Sequence, residues 1–446
     1  MSLDLEKPIR TRPLPDEFPG VHSMDEDEAE AAIRIIRSKS LYRYYGVHPQ
    51  HEVSSFEEEF ARFLEARHVL AVTSGTSALH VALSALKIGP GDEVIVPAYM
   101  WVSVVAAVVN LGAIPVLAEI DDTFGLDPRD VERRITPRTA GIVAVHMNGC
   151  AVNIHRLAEV ARRNGIFLLE DCAQCVGATV GGQRVGTFGD MAIFSFQLNK
   201  NMTVGEAGAV VTNDERLYRK AVAVHDAGYS RGLDEDLQMD DIASYSWGRG
   251  VRLDELRAAV LRVQLGKVET TISRMRRSKN RILESLYAHQ QLSFRRRVDA
   301  AGDTSCFLLT IFPDRDSARQ VNRLMRQHGI ATKSPDTSNV LLANYGMHIY
   351  SNIPALVQKT GTDKRGFPWT LAENRDSVYS YAHGACPASD DLFERTQLLV
   401  VPSCLTAQDE DDIVESFHRA LDAVFGSVAA PANRFTAGEC LITPCG

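Results

Sequence analysis

Three separated blocks of this sequence place reactive side chains where runs of apolar residues end. Residues 168–178, LLEDCAQCVGA, close on Glu170 and Asp171. A carboxylate at the end of a buried strand needs a cation or hydrogen bonds, because burying it alone is costly. Residues 191–212, MAIFSFQLNKNMTVGEAGAVVT, carry Ser195 and, five residues on, Lys200, before a return through Gly205 and Gly208. A lysine held at such a strand end can lose its proton to its surroundings and act as a nucleophilic amine. Residues 73–83, TSGTSALHVAL, open a helix after an apolar run. There Gly75 permits a tight turn, and Thr76 and Ser77 sit where free N–H groups can meet an anion. No Gly-Lys-Thr follows, so this is not a Walker loop. Each block also has a plain reading: a solvated acid, a surface lysine, a helix cap.

Together the blocks match one chemistry. A phosphate cradle, an acid about a hundred residues on and then a lysine are what pyridoxal 5'-phosphate requires. It bonds to a lysine amine, and a carboxylate keeps its ring nitrogen protonated so that the ring draws in electrons. An aromatic over the ring would complete the set, and Trp101 in VPAYMW lies just past a strand end. Cys172 and Cys175 form a CxxC pair without a second pair nearby, which reads as buried packing rather than zinc or redox chemistry. No metal site is expected.

The elements that must hold these residues are legible as alternation. HVLAVT, EVIVP, IPVL, GIVAV, IFLLE, MAIFSF and AGAVVT read as short buried strands, with helices such as SALHVALSALK, IHRLAEVARRN and ERLYRKAVAVH between them. This predicts an α/β fold whose large domain carries a mainly parallel seven-stranded sheet, with ligands at the strands' carboxyl ends. Capping boxes are expected at Ser23–Glu26 and Ser54–Glu57. A long helix through DELRAAVLRVQLGKVETTISRMRRSKNRILESL leads to a smaller α+β C-terminal domain. That domain is expected to hold a strand SCFLLTIF, a helix DSARQVNRLMRQHG, an irregular stretch from Lys333 to Pro402 and a last helix AQDEDDIVESFHRALDAVFG. The expected division is 1–24 extended, 25–265 large cofactor domain, 266–430 small domain and 431–446 irregular tail.

Composition narrows the function classes. The 446 residues carry 48 Lys+Arg against 57 Asp+Glu, a formal charge of −9. That argues against a nucleic-acid surface. Eight cysteines without regular spacing, and an N-terminus without an apolar core, predict no disulfide framework and a cytoplasmic protein. Residues 94–117 lack charge, but Pro97, Asn110, Gly112 and Pro115 divide them into strand, helix and strand, so no membrane span is expected.

The blocks TSGTSAL, GDEVIVPAYMWVSVVAAVVNLGAIPV, VHMNG, EDCAQCVGA, VGTFGDMAIFSFQLNKNMTVGEAGAVVTND and RLDELRAAVLRVQL, in this order, resemble the DegT/DnrJ/StrS-type sugar aminotransferases. These are fold-type-I (aspartate-aminotransferase-like) pyridoxal phosphate enzymes. The resemblance implies that Lys200 forms the Schiff base, Asp171 pairs with the ring nitrogen and Gln174 meets the ring's 3-hydroxyl. It implies that Trp101 stacks on the ring and that Gly75, Thr76, Ser77 and Ser195 bind the phosphate. It further implies a homodimer with shared active sites, a glutamine or glutamate amino donor and a ketone acceptor. Gln197, and the segments PWTLAENRDSVYSYAHGACP and VPSCLT, resemble the keto-cyclitol (scyllo-inosose-type) branch, which points to antibiotic-like secondary metabolism. Tyr345, His348 and Tyr350 are candidates near the substrate, although ordinary loop roles are the plainer reading. The family's dehydratase offshoot has histidine in place of the lysine, and Lys200 argues against that reading.

Three departures stand out. A Gly-x-Asn-x-Arg block reads Gly248-Arg249-Gly250-Val251-Arg252, so glycine replaces the asparagine that would reach the neighbouring subunit's cofactor phosphate. Arg249 is the candidate substitute. Met100 stands where threonine is usual, and Gln197 where many members have histidine. Gly250, Met100 and the loosely matching small domain keep open a decarboxylase, cyclase or oxidase on the same scaffold. A regulatory protein that binds the cofactor without turnover is the minor alternative, since fold does not fix function, but neither Lys200 nor Asp171 is lost.

Overall fold

Apolar runs of about five residues become strands here because both their faces are covered. In the computed structural model, which describes residues 7–232, 236–304 and 306–426, all seven expected strands form. They are β1 His68–Val72, β2 Glu93–Pro97, β3 Ile114–Ala118, β4 Thr139–Val145, β5 Phe167–Asp171, β6 Met191–Ser195 and β7 Gly208–Thr212. Their order in one sheet is β1-β7-β6-β5-β4-β2-β3. The pairs from β6 to β3 are parallel, and β7 runs antiparallel to both β6 and β1. The five parallel strands therefore end on one side, which puts Asp171 and Ser195 at a common rim.

Helices cover both faces. One face packs α3 (Gly75–Ala85), α4 (Ser103–Asn110) and α7 (Glu215–His225) through residues such as Leu79, Val104 and Val224. The other packs α2 (Glu52–Leu64), α5 (Pro128–Arg134), α6 (Ile154–Asn164) and the first half of α8 (Glu255–Leu286), through Phe56, Phe60, Val131, Leu157 and Leu261. Helix α8 then runs on into a second core. That core lies under an antiparallel sheet of β8 (Ser293–Phe294), β9 (Phe307–Ile311), β10 (Asn339–Leu341) and β11 (Thr396–Val400), in the order β8-β9-β11-β10. Helices α9 (Arg315–Gln327) and α11 (Ala407–Phe425) complete it.

Several expectations need correction. Ser23 does not cap the first helix. Asp25 does, with Glu28 closing the box, and α1 spans Glu26–Ser38. The Ser23 hydroxyl donates to the Gly20 carbonyl instead. Nor does Ser54 open α2, which starts at Glu52; the Glu255 carboxylate accepts from the Glu52 and Val53 N–H groups at 2.8 and 3.1 Å. Glu57 turns inward to Arg43 and the Ala71 N–H. The stretch 333–402 is not simply irregular, since it contains β10, the helix α10 (Pro387–Glu394) and β11. The tail expected over 431–446 lies outside the described residues. Residues 94–117 divide into β2, α4 and β3, and no described helix is long and apolar enough to cross a membrane.

Candidate active site

A cavity of about 300 Å³ opens at the rim of the sheet, lined by residues from all three reactive blocks. Gly75, Thr76, Trp101, Asp171, Gln174, Ser195, Gln197, Lys200 and His348 border it. A larger cleft of about 650 Å³ lies along the free edge of β1, but there Arg43 is already bound by Glu57 and Arg231 by Asp226.

Lys200 sits in the loop that joins β6 to β7. Its N–H donates to the Gln197 carbonyl, while the Thr203 hydroxyl donates to the Phe196 carbonyl and the Gln264 side chain accepts from the Thr203 N–H. These bonds fix the turn that aims the amine. Burial pushes the Lys200 ammonium below its ordinary range, and Asp171 is the strongest opposing influence. Asp171 is itself only 4% exposed and its carboxyl is pushed up by burial. Its Oδ1 accepts from the Ala173 N–H at 3.0 Å. A buried acid so placed gains most from a cationic neighbour.

Gln174 is held by its acceptor end. The Asn148 N–H donates to Gln174 Oε1 at 2.9 Å, so the amide NH2 is the end left to donate into the cavity. Asn148 itself has a left-handed backbone (φ 56) and accepts from the Tyr99 hydroxyl at 2.7 Å. Its short polar side chain tolerates that conformation better than most.

The anion end is the start of α3. Ser74 caps the helix, accepting from the Ser77 N–H, and the first turn leaves the Gly75 and Thr76 N–H groups without helical acceptors. Thr76 and Ser103 share a hydroxyl hydrogen bond of 2.8 Å at the cavity wall. Gly75 is required by space, since a Cβ there would stand 2.7 Å from Ser195 Cβ. Ser77 turns away: its hydroxyl bonds Ser74 and Thr73, and it does not line the cavity.

Trp101 is 40% exposed on the cavity wall, its ring 4.7 Å from that of His348. His348 Nδ1 lies 3.0 Å from the Tyr345 carbonyl, which only accepts, so Nδ1 carries the proton and Nε2 is left as an acceptor. Burial lowers this imidazole to about 4, helped by the nearby Lys200 charge. Tyr345 stacks beneath it at 4.1 Å and does not line the cavity. The segment is clamped to the large sheet by the Met100 N–H on the His348 carbonyl and the Tyr350 N–H on the Ala98 carbonyl. Tyr350 points elsewhere, donating to Asp390.

Sequence reasoning did not single out Ser74, Ser103 or Glu206, which also line the cavity. Ser74 and Ser103 stand beside residues that it did name, so neighbouring hydroxyls were the available signal. Glu206 carried none. Gly250 adopts φ 66 on an exposed loop, and Arg252 beside it is paired with Asp226 at 2.6 Å. Arg249 is exposed and does not line this chain's own cavity.

His146, Glu170 and Cys172 bring ligand-type atoms within 4.8 Å of one another. His146 Nδ1 accepts from the Val152 N–H, so Nε2 carries the proton toward Glu170. Glu170 also accepts from the Gly186, Phe188 and Gly189 N–H groups. No ring lone pair remains for an ion. Cys172 and Cys175 are buried and unpaired, within the core against α2 and α8.

A helix start ringed by hydroxyls, a buried acid, a donating amide and a desolvated amine fit pyridoxal phosphate end to end. The fold is the aspartate-aminotransferase-like fold of type I. The chain belongs to the DegT/DnrJ/EryC1/StrS aminotransferase family, whose model matches residues 22–336. GDP-perosamine synthase of Vibrio cholerae is 40% identical over 225 residues, covering 50% of this chain and 59% of that protein. L-glutamine:2-deoxy-scyllo-inosose aminotransferase of Streptomyces kanamyceticus is 37% identical over 294 residues, covering 64% and 67%. The matches thus span roughly three fifths to two thirds of these curated relatives. Among solved structures, 3-amino-5-hydroxybenzoic acid synthase is similar with TM-score 0.73 and 27% identity, covering 93% of this chain and 100% of that one. S. venezuelae DesV, solved with a ketimine intermediate, gives TM-score 0.74 at 27% identity, covering 92% and 99%.

Proposed function

We propose that this protein moves an amino group from glutamine or glutamate to a keto-sugar or keto-cyclitol in a biosynthetic pathway. The observation that carries the reading is the pair of Lys200 and Asp171 on one small cavity, with the lysine ammonium destabilised by burial. The similarity to a scyllo-inosose aminotransferase and to GDP-perosamine synthase supports the acceptor class.

Pyridoxal phosphate bound here supplies an aldehyde that takes up the amine and a protonated ring that draws in the electron pair freed at the substrate carbon. Asp171 holds the proton on the ring nitrogen, an arrangement that also relieves its own buried charge. Gln174 donates its amide toward the ring oxygen, oriented by Asn148. The Gly75 and Thr76 N–H groups, with Thr76 and Ser195 hydroxyls, hold the phosphate against the positive end of α3. The Lys200 amine would take the proton from the amino donor's α-carbon and return it at the cofactor's aldehyde carbon, serving as base and then acid. Burial lowers the proton affinity of this amine relative to an exposed lysine, which favours its neutral, basic form. Trp101 covers the ring face, and Gln197 and His348 offer polar atoms to the acceptor.

A homodimer with shared sites belongs to the same reading. Ile242 and Trp247, 73% and 94% exposed on the segment before Gly250, are apolar surface that a second copy would cover. The experiment follows the nitrogen: [amino-15N]glutamine or glutamate is incubated with a keto-cyclitol or a nucleotide-linked keto-sugar. The label must appear in the acceptor as a primary amine. Turnover of a single substrate without any ketone, or with consumption of oxygen, refutes the reading.

A further inference from the structure

Glu206 stands on the wall of the site cavity with its backbone fixed and its carboxylate free. It follows Lys200 on the loop between β6 and β7. On one side the Gly205 N–H donates to the Thr203 hydroxyl at 3.0 Å, with Gly205 at φ 83. On the other the Phe196 N–H donates to the Ala207 carbonyl, and Arg257 donates to the Glu206 carbonyl at 2.9 Å. The side chain rooted there is exposed, and it borders the same cavity as Lys200, Gln197 and His348. Among the described residues its carboxylate has no hydrogen bond and no ion pair. An unpaired carboxylate on open surface is ordinary. On the wall of a site cavity it becomes a contact for whatever enters.

The rest of the wall limits what can meet it. The ionisable side chains bordering the cavity are Asp171, Lys200, Glu206 and His348, with no arginine and no second lysine among the described residues. Lys200 and Asp171 are the two that the cofactor engages. His348 is uncharged near neutral pH, since burial lowers it to about 4, and its Nε2 is an acceptor. Gln197 is tied by its acceptor end. The Asn199 N–H donates to Gln197 Oε1 at 3.0 Å, so the amide NH2 is the end left to donate. Beyond the groups used by the cofactor, the wall thus offers an anionic acceptor, a neutral acceptor and an amide donor, and no cation.

We propose that Glu206 is a specificity-determining residue that accepts hydrogen bonds from adjacent hydroxyls of the ketone acceptor, selecting a neutral polyhydroxylated ring over a nucleotide-diphosphate sugar. This rests on the acceptor class proposed above and narrows it. A carboxylate carries about four lone-pair sites on its oxygens, which suits neighbouring O–H donors on a ring. Such charge-assisted bonds are roughly twice as strong as neutral ones. A diphosphate brings acceptors and negative charge, and it would face an unpaired anion with no cation beside it. The amino donor's carboxylates are disfavoured at Glu206 for the same reason. Glutamine's side-chain amide is the other source of donors, and the donor arm of the test separates it.

The test uses the cofactor-loaded enzyme and two amine products as probes, scyllo-inosamine and GDP-perosamine, with dissociation constants read by calorimetry. The wild type should bind scyllo-inosamine at least about tenfold more tightly than GDP-perosamine. Glu206→Ala should weaken scyllo-inosamine by about tenfold or more, the loss for a hydrogen bond to a charged acceptor, and should weaken GDP-perosamine less. Glu206→Gln, which keeps a carbonyl acceptor, should recover part of the loss. The rates at which L-glutamine and L-glutamate discharge the visible cofactor band should not fall in Glu206→Ala, because an anion is taken away from a donor that carries carboxylates. A displaced loop would lower both rates through Lys200. Unchanged scyllo-inosamine affinity in both variants overturns the inference, as do donor rates that fall in step with it. A fall for glutamine alone overturns it too, since Glu206 would then meet the donor's amide. GDP-perosamine bound as tightly as scyllo-inosamine, or more tightly, overturns the selection and leaves the aminotransferase reading intact. If the wild type binds neither probe, the acceptor class and this inference fall together. If it binds scyllo-inosamine and the variants match it, only the role of Glu206 fails.

Discussion

Glu170 and Asp171 are neighbours on β5 that serve opposite faces of one sheet. Asp171 lines the cavity, whereas Glu170 turns to the other side and binds His146 and the 186–189 backbone. The two-residue period of a strand makes this division of labour. One carboxylate holds the turn, and its neighbour is left for chemistry.

Glu170→Ala therefore removes an acceptor from three buried N–H groups and a histidine. The expected loss is at least about 3 kcal/mol of folding stability, the cost of stranding a buried hydrogen-bonded charge network. Equilibrium urea unfolding measures it. Retained stability within about 1 kcal/mol would show that water replaces the carboxylate at no cost.

Asp171→Asn keeps the shape and removes the charge. Turnover is expected to fall by about 10²- to 10⁴-fold, the range for loss of a positioned proton-holding group. The bound cofactor's absorbance should also become sensitive to pH, because nothing then holds the ring proton. Steady-state kinetics alongside a spectral titration reads both.

Gly75→Ala places a methyl group 2.7 Å from Ser195 Cβ at the phosphate end. Either α3 or Ser195 must move. Cofactor affinity should drop by about tenfold or more, as for one good charged hydrogen bond. Fluorescence titration of the cofactor-free protein gives the constant.

Glu17 carries a pH signature of its own. Its folded carboxyl is raised from 4.5 to about 7, mainly by burial. The folded state then binds more protons than the unfolded chain between those values, so stability falls as pH rises through that window. Relative to Glu17→Gln, the wild type should lose stability from about pH 4.5 to 7, with a ceiling of roughly 3 kcal/mol. Thermal midpoints of both cofactor-loaded proteins across that range check the sign. A wild type that gains on the variant as pH rises contradicts it.

The seven strands were legible because each is a short apolar run with both faces buried. Lys200, Asp171, Gln174, Ser195, Gly75, Thr76 and Trp101 meet on one cavity because each ends a strand or follows a strand's carboxyl end. The start of α1 lies two residues beyond Ser23, at a local box of Asp25 and Glu28, whereas the start of α2 is set by a distant group. Nothing local tells that Glu255, two hundred residues on, accepts from Glu52 and Val53. The strand TQLLV was hidden because Thr396 and Gln397 interrupt its apolar pattern, yet both are fully buried.

The most direct measurement is a single half-reaction followed by absorbance. Enzyme carrying stoichiometric pyridoxal phosphate is mixed with L-glutamine or L-glutamate, without any ketone. The account predicts that the visible band of the lysine-bound cofactor converts once to the near-ultraviolet band of its amine form. One keto acid is released per site, and a keto-cyclitol or keto-sugar then restores the band. Lys200→Ala should show neither change. Continued keto-acid release without acceptor, or the same conversion in Lys200→Ala, would contradict it.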